Sequence, residues 1–139
     1  MSIETQIEEY LNSQSEPKRS ELIELNNIIL QIMPDCKLWF LDGKDSNGKT
    51  IANTNIGYGS FNINYKDGRS KEFYQIGISG NTTGISIYVM NTVSKEYLKN
   101  TYSKSIGKAS ISGYCIKFKK LSDINKKVLE TLINEAFKP

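Results

Sequence analysis

Apolar residues recur at every second position through the stretch from Gly57 to Met90: Phe61, Ile63 and Tyr65, then Tyr74, Ile76 and Ile78, then Ile85, Ile87 and Val89. A period of two puts side chains on one face of a strand, so the stretch predicts three consecutive strands. Turns fall at Asp67-Gly68 and across Ser79 to Gly84. Lys37 to Leu41 predicts a first strand and Thr50 to Asn55 a weaker second one. Tyr114, Ile116 and Phe118 alternate with Cys115, Lys117 and Lys119, which predicts a last strand with a basic face. Ser103 to Gly113 reads as a loop.

Toward both ends the period becomes helical. Ile3, Ile7 and Leu11 form one stripe behind Ser2, an N-cap residue, and the polar run Asn12 to Ser15 ends that helix. A second helix starts near Glu16-Pro17 under a Ser15 cap, carries Leu22, Leu25, Ile28, Ile29, Ile32 and Met33, and stops at Pro34. The short connection predicts an antiparallel pair laid on the sheet. Val93, Tyr97 and Leu98 mark a short helix with Lys95 and Lys99 outside. Ser122 or Asp123 caps a final helix with Ile124, Val128, Leu129, Leu132, Ile133 and Phe137 toward the core. The expected fold is α+β, one domain over residues 1–139. It has a mainly antiparallel sheet of about five to six strands, two N-terminal helices, a short helix before the last strand and a C-terminal helix.

Composition narrows the function. The absence of histidine removes the commonest general base and metal ligand, and with it Ser-His-Asp and Cys-His catalysis. Carboxylate or lysine catalysis stays open. Cys36 and Cys115 form no metal-ligand pattern and nothing at the start resembles a signal peptide, so a reducing cytoplasm is expected. No apolar run approaches the ~18–20 residues that span a bilayer, so no membrane role is expected. The net charge of +3 hides an asymmetry: residues 1–92 carry 8 Lys/Arg and 11 Asp/Glu, whereas residues 93–139 carry 10 Lys and 4 acids. That basic third is either a solvated surface or an anion site.

Gly43 to Thr50 (GKDSNGKT) matches the phosphate-binding pattern GxxxxGK[ST], which requires a helix after the loop. Ile-Ala-Asn-Thr-Asn-Ile-Gly-Tyr-Gly follows instead, so a hairpin loop is predicted. A calcium loop through the same glycine lacks its first and twelfth carboxylates. Gly57 and Gly59 point to a bulge or bend, and Cys115 to a half-buried thiol. Tyr88 falls on the sheet face opposite Ile85, Ile87 and Val89, with Asn62, Asn64, Gln75 and Lys117. That second face reads either as solvated surface or as a binding surface. The scattered lysines of the basic third, which has no arginine, argue against nucleic acid.

Gly57, Gly59, Tyr65, Gly68, Gly77, Tyr88, Gly107, Lys108, Cys115 and Lys119, in this order and spacing, resemble the YdhG-like domain of unknown function over nearly the whole chain. The resemblance implies a frataxin-like α+β fold and no established enzymatic activity. Some members are labelled iron chaperones by likeness to frataxin, which would make Glu4, Glu8 and Glu9 the candidate iron ligands. The chain departs from the family at Asn64, at Asn81-Thr82 and at Ser112-Gly113, where relatives often carry basic residues or a second Gly-Lys. The resulting expectation is a non-enzymatic module that binds a small molecule or protein partner, without a cofactor, through Asn62, Gln75, Tyr88, Lys108, Lys117 and Lys119. A frataxin-like iron chaperone is the alternative, an enzyme with an unrecognised carboxylate or lysine site the third reading. The exposed sheet face could also serve a dimer.

Overall fold

The computed structural model of the protein describes residues 1–138. Its twelve regular elements follow the polar and apolar pattern closely. Helix α1 (Ile3–Ser13) starts where the Ser2 hydroxyl accepts from the Thr5 amide, and α2 (Lys18–Ile32) ends at Met33, before Pro34. The expected Ser15 cap is replaced by Pro17 at the N-cap, with the Ser15 carbonyl accepting from Arg19. Strands β1 (Leu38–Leu41), β2 (Asn55–Tyr58), β3 (Phe61–Asn64), β4 (Ser70–Phe73), β5 (Ile76–Asn81) and β6 (Gly84–Val89) follow. Then come α3 (Tyr97–Tyr102), β7 (Ser110–Ser112), β8 (Cys115–Phe118), a 3₁₀ turn at Leu121–Asp123, and α4 (Lys126–Ala136).

Six strands make one antiparallel sheet in the order β1-β2-β5-β6-β8-β7. Cross-strand partners Phe40, Ile56, Ile78, Ile87, Ile116 and Ile111 form one row of its inner face. On that face α2 buries Leu22, Leu25 and Ile29 against β5 and β6, and α4 packs on α2 with Leu129, Leu132 and Ile133. A fully buried Tyr58 ties the layers together, its hydroxyl 2.6 Å from Asn26 Oδ1 of α2. This is the expected α+β architecture, with helix α1 against β1 and α2.

The Gly57 to Met90 block divides where three sheet strands were expected. Gly59, at φ +81°, turns the chain away after β2, a conformation that costs glycine least. Strands β3 and β4 then pair only with each other, so Phe61 and Ile63 are half-buried and Tyr65 is 43% exposed rather than part of the core. The second strand begins at Asn55, later than the weak Thr50–Asn55 signal. The β5–β6 pairing continues to Asn81 and Gly84, so its turn is confined to Thr82-Thr83. Within the predicted loop at Ser103 to Gly113 lies β7, and Val93, 88% exposed, stands outside α3. Asn125, not Ser122 or Asp123, caps α4, accepting from the Lys127 and Val128 amides. Gly43 to Thr50 is a hairpin: Lys44 and Thr50 pair, Asp45 Oδ1 accepts from the Asn47 and Lys49 amides, and no helix follows. Among the described residues no helix is long and apolar enough to cross a membrane.

Candidate functional site: a lysine cleft at one edge of the sheet

Strand β8 determines where the basic side chains of the C-terminal third go. Ile116 and Phe118 are buried in the core, so the alternation turns Lys117 to solvent, and Lys119, in the bend after the strand, is exposed as well. Lys117 lies opposite Ser86 on one side and Ser110 on the other. Lys108 arrives from a separate segment: its amide donates to the Asp123 carbonyl at 3.0 Å, and Gly107 bridges to Ile124. The 3₁₀ turn beside it is pinned from below, because Glu21 of α2 accepts from the Leu121 amide at 2.6 Å. Lys120 is thereby held at the entrance to that turn.

These constraints bring Lys108, Lys117, Lys119 and Lys120 to one open cleft of about 600 Å³, lined as well by Thr83, Ile85, Ala109, Ser110, Phe118 and Asp123. Asp123 is the only carboxylate among its lining residues. The ion pairs among the described residues are Arg19–Glu16, Lys37–Glu72, Arg69–Asp67 and Lys126–Glu24, and none includes a cleft lysine. Four lysines and one aspartate therefore line one cleft. An anion taken up by such a surface adds attractions that offset the like-charge repulsion among the lysines.

Three of the six candidate binding residues, Lys108, Lys117 and Lys119, thus converge, whereas the other three are dispersed. Tyr88 does lie on the second face of the sheet, opposite Gly77 and Cys115, and burial raises its phenol above the usual range. Asn62 sits exposed on the β3–β4 hairpin, opposite Glu72. Gln75 is occupied by the fold itself: its Nε2 donates to the Ala136 carbonyl at 3.1 Å and its Oε1 accepts from the Ser60 amide. With Asn91, which also donates to Ala136, it satisfies the end of α4. The second face is also less open than its polar sequence implies. Ser79 and Ser86 are buried, bonded to the Thr54 carbonyl and to Asn81. The Tyr74 ring, expected on the core side, lies over Gly57 and Gly77 on the second face, where an added Cβ would stand 2.5 and 2.6 Å from it. Phe73 stacks on Tyr74, with Trp39 at its edge.

Lys120 and Asp123 were missed as site residues. Lys120 reads as one more charge in a basic run and Asp123 as a helix cap, and only the 3₁₀ turn between them, which has no sequence period of its own, brings both to the cleft. At the other end of the molecule Glu4 and Glu8 border a groove of about 310 Å³ between α1 and α2, while Glu9 is not among its lining residues. Among the described residues no three His, Cys, Asp or Glu side chains come together in a metal-binding arrangement. Half-buried Cys36 and Cys115 are free thiols, both raised above the usual cysteine range by burial.

Set beside family models, curated proteins and solved structures, the chain matches none.

Proposed function

We propose that the protein is a non-enzymatic binding module of the YdhG-like kind, and that its ligand is an anion held in the cleft of Lys108, Lys117, Lys119 and Lys120. The observation that carries the reading is the imbalance of the cleft, four lysines against Asp123 alone. The family assignment rests on the glycine, tyrosine and Gly107-Lys108 pattern given above. Lysine suits this role because its ammonium is a mobile point charge that can follow an anion without a fixed planar geometry. The cleft is also within the ~300–1,000 Å³ range of small-molecule sites, large enough for more than a single inorganic ion.

A ligand that binds only the folded state raises apparent stability by RT ln(1 + [L]/Kd), about 2.7 kcal/mol at a hundredfold excess over Kd. Thermal unfolding in phosphate or sulfate, against sodium chloride of matched ionic strength, tests the reading. Stabilisation by the multivalent anion that disappears in Lys117→Ala/Lys119→Ala supports it. Equal midpoints in all three salts, or an equal gain in wild type and double variant, as exclusion of these anions from any protein surface produces, defeats it.

A further inference from the structure

Resting on that anion-binding reading, we infer that the cleft recognises a chain of two or more linked phosphates, and that the remainder of the ligand contributes little to its binding. The first argument is charge. Four lysines and one aspartate leave a formal surplus of three positive charges in the cleft. One phosphate group carries about −1.5 to −2 at neutral pH, so a single group leaves part of the surplus unneutralised, whereas a diphosphate or triphosphate matches it.

The second argument is the origin of the lysines. Lys117 lies on β8 and Lys119 just past its end at Phe118. Lys108 reaches the cleft from the segment before β7, and Lys120 from the turn after β8. The lining lysines thus come from two segments, Lys108 from one and Lys117, Lys119 and Lys120 from the other, and an extended anion that meets both segments draws on all the charge the lining offers. The third argument is the donor type. Both arginines of the chain are engaged elsewhere, Arg19 with Glu16 and Arg69 with Asp67, so the cleft offers no planar fork for a carboxylate. The fourth is the lack of a stacking surface. The one aromatic residue of the lining, Phe118, is 5% exposed and turned into the core. A base or other ring therefore has nothing to lie on, which separates this cleft from single-strand nucleic-acid sites built on aromatic platforms.

The test is calorimetric titration of the full chain with orthophosphate, pyrophosphate, tripolyphosphate and a nucleoside triphosphate at constant ionic strength. Tightening at each added phosphate is expected, with the nucleoside triphosphate close to tripolyphosphate. Lys117→Ala/Lys119→Ala should weaken tripolyphosphate by about tenfold or more, and Lys95→Ala/Lys99→Ala, on the α3 side away from the cleft, should not. All four substituted lysines are exposed, so the variants retain the fold, which circular dichroism checks. Orthophosphate binding as tightly as tripolyphosphate, still lost in the β8 variant, overturns the phosphate-chain inference and leaves the anion site standing. Absence of any anion binding that depends on Lys117 and Lys119 overturns both. A nucleoside triphosphate or a single-stranded oligonucleotide binding far more tightly than tripolyphosphate also overturns the inference, because recognition would then lie in the base.

Discussion

The two edges of the sheet treat their lysines in opposite ways. At the β1 edge Lys37 lies 3.0 Å from Glu72 and over the Trp39 ring, while the Ser60 hydroxyl also donates to Glu72. Those two donors, Ser60 before Lys37, hold the Glu72 carboxyl below its usual range. The aromatic group Trp39, Phe73 and Tyr74 closes the second face beside it. At the β7–β8 edge four lysines surround a cleft with no aromatic cover and no ion pair among the described residues. A lysine that has its carboxylate and its ring is part of a finished surface. Most lysines of the chain lack an ion pair among the described residues, so what distinguishes the β8 end is that four of them line one cleft.

The sharpest way to break the closed edge is to remove its cover. Tyr74→Ala takes away a side chain 4% exposed that fills the space above two glycines. It should cost about 3–5 kcal/mol in denaturant unfolding, as large aromatic truncations do. Gly77→Ala attacks the same contact from the other side and should cost about 1–3 kcal/mol, because the ring must shift. A loss below ~0.5 kcal/mol in both would show that the aromatic cover is not part of the stable fold.

Gln75→Ala separates a structural residue from a ligand-binding one. It removes the acceptor of the Ser60 amide and leaves the Ala136 carbonyl to Asn91 alone, so about 0.5–1.5 kcal/mol should be lost while anion affinity is unchanged. The reverse pattern, intact stability with lost binding, would return Gln75 to the site. A pH series probes the core behind both edges. Burial holds the Tyr58 and Tyr74 phenols above the usual range and pushes Tyr102 up to about 12. In the unfolded chain they ionise near ~10, so the folded state binds more protons above that pH. Their contribution is therefore complete below pH ~10 and declines as pH rises toward the folded values. Tyr58→Phe should make the alkaline decline in unfolding free energy shallower. The smallest effect belongs to Lys37→Ala: this exposed pair should leave the melting midpoint almost unmoved. The same substitution at Lys117 or Lys119 should leave the unliganded midpoint equal or slightly higher.

The fold was largely legible because its strands and helices each carry a clean period. Ile76 to Val89, the stripe of α2 and the core side of α4 all read directly from the spacing of apolar residues. What escaped was decided by contacts between distant residues. The Phe61 to Tyr65 alternation is as regular as that of β5, yet Gly59 turns it into a separate hairpin. Tyr74 follows the core period but lies across Gly57 and Gly77, whose missing side chains make room for its ring on the other face. The site was half legible for the same reason. Alternation along the Tyr114 to Lys119 run points to Lys117 and Lys119, although β8 itself ends at Phe118, whereas Lys120 and Asp123 depend on the 3₁₀ turn, and Gln75 was drawn away by the end of α4.

The most direct test of the central claim is a backbone and lysine side-chain NMR titration with tripolyphosphate. Shift changes should concentrate at Thr83 to Ile85, Lys108 to Ser110 and Lys117 to Lys120, saturate together, and spare Lys37, Lys95 and Lys99. Changes spread evenly over all lysines, or centred on Lys95 and Lys99, would contradict it.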